Sequence, residues 1–207
     1  MLDACVNIIV RNGDDFIAPV LRAVRPYAKR VRVGLDSRST DKTKEILKVL
    51  GVEVVELEIK NPKTDLVALR NKLLDGVEER YVWVVDSDEY YPKKVVEELW
   101  VYLGYADVYT LNCYAPWSTT TGHKSSSKPE IPRFFINDGR RWTGRFGKER
   151  LHKQGDYIVN IPLRYIHLTH FKKDDWRKEL GQDRVADGKF TYPLPDWVTK
   201  ELESLGV

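Results

Sequence analysis

The chain reads as an α/β protein: a mostly parallel central sheet flanked by helices, with a small mixed β region in the C-terminal half. Three observations carry this. Short apolar runs alternate with amphipathic helical patterns through the first hundred residues. The runs are too continuously apolar to be half exposed, so helices must cover both faces of their sheet. Polar turns rich in chemistry-bearing residues follow the first, second and fourth runs, on the rim where parallel sheets bind ligands.

The elements follow in order. CVNIIV (Cys5 to Val10) is a buried strand, broken by the turn RNGDD. Phe16, Val20, Leu21 and Val24 recur at helical spacing until Pro26. RVRVGL (Arg30 to Leu35) is a second strand. The helix after it should have Ser39 or Thr40 as N-cap, Asp41 in its first turn and Gly51 as its stop. VEVVELEI (Val52 to Ile59) is a third strand, and Leu66, Leu69, Leu73, Leu74 and Val77 mark the next helix face. YVWVV (Tyr81 to Val85) is a fourth strand, followed by a helix from Lys93.

Beyond it, VYTLNCY (Val108 to Tyr114) is a strand and 114–132 a long flexible loop, rich in Ser, Thr, Lys and Pro, that could act as a lid. RFFI, RRW, YIVNI and RYIHLTHF read as separate short strands around the turn Asn137 to Gly139. Trp197 to Leu205 reads as a charged helix.

A length of 207 residues suits one core. A net charge of +3 is too small to argue for nucleic acid as a partner. No apolar run approaches the roughly 20 residues of a membrane span, and the acidic start MLDACVNIIV does not read as a signal peptide. Cys5 and Cys113 lie in strand-like runs and read as buried thiols, which suits a cytoplasmic location. The basic run Arg140 to Arg150 reads either as a solvated face or as a contact for an anionic acceptor or lipid headgroups, the latter giving peripheral membrane contact.

The stretch VWVVDSDEYYP sets an apolar strand against Asp86, Asp88 and Glu89. Carboxylates this close raise one another's pKa unless positive charge lies among them. Asp86 and Asp88 are two apart, so in extended geometry both point one way. Two hard oxygen donors on one side suit Mg²⁺ or Mn²⁺ completed by water and phosphate oxygens. A phosphoaspartyl phosphatase fits poorly, because its acid pair normally lies near the N-terminus and Tyr90 fills its last position. A dinucleotide-binding domain needs GxGxxG after the first strand, where RNGDDF offers one glycine.

The segments VNIIVRNGDD, VGLDSRSTDKTKEIL, ALRNKLL and YVWVVDSDEYYP together resemble the nucleotide-sugar-binding half of a GT-A glycosyltransferase of family 2. That family ends its fourth strand in DxD and carries an R-N pair on the preceding helix. Downstream, PRFFINDGRRWTGRFGKERL is similar to the family's "R-L-F-R…W-x-G-x-x-H-E" segment, and RYIHLTHF to its "I-x-H" strand. Lys148 stands where many relatives carry His, and the first loop lacks their proline-and-tyrosine form.

The resemblance implies a single GT-A (Rossmann-like) domain over 1–207, with a nucleotide-sugar-binding half at 1–104 and an acceptor-side half at 105–207. It implies transfer of a hexose-type unit from a UDP-, GDP- or dTDP-sugar to a hydroxyl of a glycan, lipid or protein, with inversion. Asp88, with Asp86 nearby, would hold Mn²⁺ or Mg²⁺ against the diphosphate. Asp36 would meet the nucleotide base, with Arg11 and Asn12 lining the same pocket, and Arg70 could reach sugar or phosphate. Glu149 would be the general base, unless it is a solvated acid among Arg145, Lys148 and Arg150. His167 or His170 would be a further metal or phosphate ligand, with His167 fitting the family pattern better. Trp83 and Trp100 read as core, while Trp117 and Trp142 could be core or a sugar-stacking platform. Two alternatives are a nucleotidyltransferase of related fold, which would carry a Gly-rich basic signature after the first strand, and a non-catalytic sugar-nucleotide-binding protein.

Overall fold

A computed structural model describes residues 1–116, 123–126, 132–144, 149–151, 153–168, 200 and 203–204. Trp117, Arg145, Lys148 and His170, and the greater part of the expected C-terminal helix, lie outside the described residues. The first half alternates strand and helix as the pattern requires: β1 Leu2–Val10, α1 Ile17–Val24, β2 Ala28–Asp36, α2 Thr43–Leu50, β3 Glu53–Leu57, α3 Pro62–Leu74 and β4 Tyr81–Asp86. Then come β5 Glu89–Tyr90, α4 Lys93–Leu99, β6 Val108–Pro116, β7 His123–Ser126, β8 Pro132–Ile136 and β9 Ile158–His167. Gly51 closes α2 at φ 60°, a left-handed conformation that suits a residue without Cβ.

The strands form one nine-stranded sheet among the described residues, in the order β3-β2-β1-β4-β8-β6-β9-β5, with β7 paired to β6. β1 to β4 are mutually parallel, and β8 turns the sheet antiparallel against β4. Successive residues of each inner strand face opposite sides. Val6, Ile8, Val10, Trp83 and Val85 join the larger core under α1, α2 and α4. Val82 and Val84 join a second cluster with Phe135 and Trp142, and Ile9 packs on the α3 residues Leu66, Leu69 and Leu73. This burial of both faces is why the runs carry no polar alternation. Chain direction reverses its sideways progress between β1 and β4, which opens a crevice at their carboxyl ends.

The C-terminal half departs from the expected short strands. YIVNI and RYIH belong to one strand, β9, which runs through Pro162. The register against β6 slips between Leu111–Ile161 and Asn112–Arg164, and this bulge accommodates a proline that cannot donate to the ladder. RRW forms no strand: its segment carries one isolated bridge, Thr143 to Arg150. The expected loop 114–132 contains the end of β6 and β7, which pair with each other. Ser39 and Thr40 do not cap α2. Asp41 Oδ1 accepts from the Thr43 amide at 3.0 Å, and the two hydroxyl residues turn instead toward the first loop. Trp83 is core as expected and Trp100 packs against it partly buried. Among the described residues no helix is long and apolar enough to cross a membrane.

Candidate active site

The loops after β1 and β2 are sewn together at the crevice. Asn12 sits at φ 46°, a conformation asparagine tolerates better than most residues. Its backbone N–H donates to Ser39 Oγ at 3.3 Å and its Oδ1 accepts from the Thr40 amide at 2.9 Å. The Gly13 amide donates to Thr43 Oγ1 at 2.8 Å, and the Asp14 amide to Asp41 Oδ2 at 2.9 Å. At Gly13 an added Cβ would stand 2.4 Å from Val10 Cγ2, so the chain can approach this closely only without one. Desolvation, reinforced by Asp41, raises the Asp14 carboxyl above its usual range.

Asp36, at the end of β2, is fully buried and heavily engaged. Its oxygens accept from Arg38 Nη2 at 3.0 Å, from the Arg38 amide at 3.1 Å and from the Ile59 amide at 3.4 Å. Arg11 Nε lies 3.8 Å away. Arg11 and Arg38 thus both lie against Asp36, and Asn12 binds the loop that carries Arg38; Arg38 is a neighbour that the sequence did not single out.

The acidic turn is not extended. β4 ends at Asp86, Ser87 and Asp88 turn, and β5 pairs antiparallel with the end of β9, setting Glu89 opposite His167. The backbone between the two aspartates therefore turns, where extended geometry was expected, and their strongest described ion pairs differ. Asp86 Oδ1 accepts from Arg70 Nη2 at 3.1 Å and Oδ2 from Arg133 Nη1 at 3.2 Å. Desolvation alone would raise this carboxyl, but Arg133 and Arg70 outweigh it and hold it at about 2. Asp88 pairs with β9: its Oδ2 lies 3.6 Å from His167 Nε2, and its carbonyl accepts from the Leu168 amide at 2.6 Å. Desolvation pushes His167 down, yet Asp88 prevails and raises it above the usual imidazole value.

Glu89 is fully buried. It accepts from the Asp86 amide at 3.0 Å and from Arg133 Nη2, which also donates to Tyr165 Oη at 3.1 Å. Burial, opposed by Arg133 and reinforced by Asp86, lifts Glu89 to about 7. Part of the positive charge that the turn demands is therefore the protein's own, supplied by Arg70 and Arg133. Arg133 escaped the sequence reading as a site residue. Its signal was a lone basic residue between Pro132 and Phe134 in an otherwise buried strand, where a cation needs an internal counterion.

Arg70 and Asn71 share one turn of α3. Arg70 holds Asp86 and lies 5.2 Å over the Trp142 ring. Asn71 bonds both backbone groups of Trp142, donating to its carbonyl at 2.9 Å and accepting from its amide at 2.8 Å. Trp142 is buried edge-on against Phe135, so it is core and not an exposed platform. Glu149 is also buried, at 6% exposure, which overturns the picture of a solvated acid. Its Oε2 has no hydrogen-bond partner among the described residues.

The family model described as glycosyl transferase family 2 matches residues 5–158. The chain belongs to that family. The chain is 26% identical over 162 residues to the SPbeta prophage-derived glycosyltransferase SunS of Bacillus subtilis (strain 168), a match covering 77% of this chain and 36% of SunS. It thus spans about a third of that relative's length. Among solved structures, S. aureus TarS 1-349 superposes with a TM-score of 0.56 at 16% identity, over 82% of this chain and 61% of that one. A protein from Desulfovibrio desulfuricans G20 aligns over 99% of this chain and 97% of its own, with a TM-score of 0.51 at 12% identity. These likenesses establish the GT-A fold for this family member.

Proposed function

We propose that the chain transfers a sugar from a nucleotide-diphosphate donor to an acceptor hydroxyl, with a divalent metal and with inversion. The observation that carries this reading is Glu149: a buried carboxylate with an oxygen unpartnered among the described residues, on the family 2 segment tied to Asp86 through α3. A buried carboxylate oxygen left unpaired costs free energy, and such an oxygen is available to accept a proton from a substrate hydroxyl. TarS 1-349 has been crystallised with UDP-GlcNAc, which supports a UDP-sugar as the donor class.

Arg11, Asn12, Asp36 and Arg38 form the wall on which the nucleotide base rests. Arg38 and Arg11 both lie against Asp36, and a guanidinium plane is suited to stack on a planar ring. Among the described residues no three His, Cys, Asp or Glu side chains come together as a complete metal cage. Asp88 and His167 nonetheless fit two positions of a Mn²⁺ or Mg²⁺ shell, one hard oxygen and one imidazole nitrogen, with water and diphosphate oxygens completing it. Bound there, the ion would supply positive charge to the departing diphosphate. Asp86 is committed to two arginines, so its part is to fix Arg70 and Arg133 beneath the donor. Glu149 takes the acceptor hydroxyl's proton as oxygen attacks the anomeric carbon. A single displacement of this kind inverts that centre.

Titration of the protein with UDP-, GDP- and dTDP-sugars, with and without Mn²⁺, tests the reading by calorimetry. At least one donor should bind in a Mn²⁺-dependent way, and Asp88→Ala should abolish that dependence. Binding of no donor, or Mn²⁺ dependence intact in Asp88→Ala, sinks it. Glu149→Gln should retain donor binding and lose transfer.

A further inference from the structure

We propose that Asn71 is a positioning residue, which holds the segment bearing Glu149 from the same turn of α3 whose Arg70 holds Asp86. The proposal rests on the reading of Glu149 as the base. Its first support is the pair of hydrogen bonds between the Asn71 amide and the Trp142 backbone, donated to the carbonyl at 2.9 Å and accepted from the N–H at 2.8 Å. A side chain that satisfies both the N–H and the C=O of one residue takes the place of a neighbouring strand.

The segment needs such a substitute. The described backbone pairing between its two arms is the Thr143–Arg150 bridge, with N···O distances of 2.8 Å and 2.9 Å. Arg150 adjoins Glu149, so the chain of support runs from Asn71 to Trp142, across the bridge, to the base. A second tie starts from the same helix end. Arg141 donates to the Asn71 carbonyl at 3.1 Å and pairs with Asp75 at 2.9 Å. Burial of the Trp142 ring under Arg70 keeps the arm from rotating away.

Glu149 itself explains why the anchor bears on catalysis. Glu149 Oε2 has no hydrogen-bond partner among the described residues, so no described hydrogen bond orients that oxygen. Backbone placement therefore bears directly on its position, and misplacement by about 1 Å can cost about a hundredfold in rate. Through Arg70 and Asn71, one helical turn fixes the donor-side acid and the acceptor-side base in a common frame.

The test uses the full chain, the sugar nucleotide that it turns over best and the matching nucleoside diphosphate. Asn71→Ala should speed amide exchange at Trp142 and Arg150 while leaving β1 and β4 protected. It should lower kcat about ten- to a hundredfold, with KM and diphosphate affinity unchanged. Asn71→Asp keeps the acceptor for the Trp142 amide and loses the donor to its carbonyl. Because it sets a carboxylate oxygen against that carbonyl, it should also speed exchange at Trp142 and lower kcat, and it serves alone if the alanine variant fails to fold. In a Glu149→Gln background Asn71→Ala should cost nothing further, because groups that act as one unit are not additive. Unchanged exchange at Trp142, parallel loss of affinity, or a fully additive double variant overturns the proposal. Wild-type kcat in Glu149→Gln alone overturns the base reading and the positioning role with it. That failure is recognisable, because exchange at Trp142 in Asn71→Ala still rises.

Discussion

Arg133 on β8 donates from one guanidinium nitrogen to Asp86 at 3.2 Å and from another to Glu89, so a single cation bridges both acids behind the turn. With Glu89 fully buried and the Arg133 side chain 6% exposed, neither charge has water to fall back on.

Removing that cation should therefore be severe. Arg133→Leu is expected to lower stability by about 3–5 kcal/mol, the cost of leaving the buried Glu89 without its cation, while Asp86 keeps Arg70. Arg133→Lys should recover only part, since an ammonium cannot fork to Asp86, Glu89 and Tyr165 together. Urea denaturation of the two variants checks the order. A milder loss in Arg133→Leu than in Arg133→Lys would contradict it.

The two aspartates of the turn should separate by phenotype. Asp88→Asn is expected to weaken Mn²⁺ binding in the presence of UDP more than about tenfold, with little change in the urea midpoint. Asp86→Asn should instead lower stability by about 1–3 kcal/mol, because it strips charge from the partners of Arg70 and Arg133. Calorimetric metal titration beside urea melts measures both.

Gly13→Ala places a methyl 2.4 Å from the stiff Val10 side chain. The loop must shift, costing about 1–3 kcal/mol, and Asn12 shifts with it. Stability should fall and UDP affinity should fall too. A variant with wild-type affinity would show that the loop's position does not matter to the donor.

Cys5 is fully buried, and burial, then Glu79, pushes its thiol up to about 12. At pH 8 it should resist a thiol-specific disulfide reagent in the native protein and react once urea unfolds the chain. The sign of its pH effect follows from the raised value. Above pH 9 the unfolded thiol ionises while the folded one stays neutral, so this group's contribution to stability falls as pH climbs from 9 toward 12. Comparing urea midpoints of wild type and Cys5→Ala across that range isolates it.

The parallel half of the fold was legible because its strands are buried on both faces and its helices on one, which writes two periods into the sequence. The rim acids were legible because charge beside an apolar strand needs a reason. Pro162 hid the continuity of β9, since no local rule announces the bulge that admits it. β7 was hidden because its residues are polar and its pairing comes from β6. Glu89 read only as the third acid of the turn and Arg133 as one letter of a motif, because what makes them a pair is contact across 44 residues of chain.

Sequence by itself determined the α/β order, the three turns on one rim and the residue types offered there, because hydrophobic period and turn chemistry act over a few residues. Tertiary structure decided which acid faces which cation. Asp86 turns to Arg70 and Arg133 and Asp88 to His167, since β4 ends at Asp86 and β9 returns beside the turn. Strand pairing over long separations sets those distances, and so it also sets the charge that each group carries.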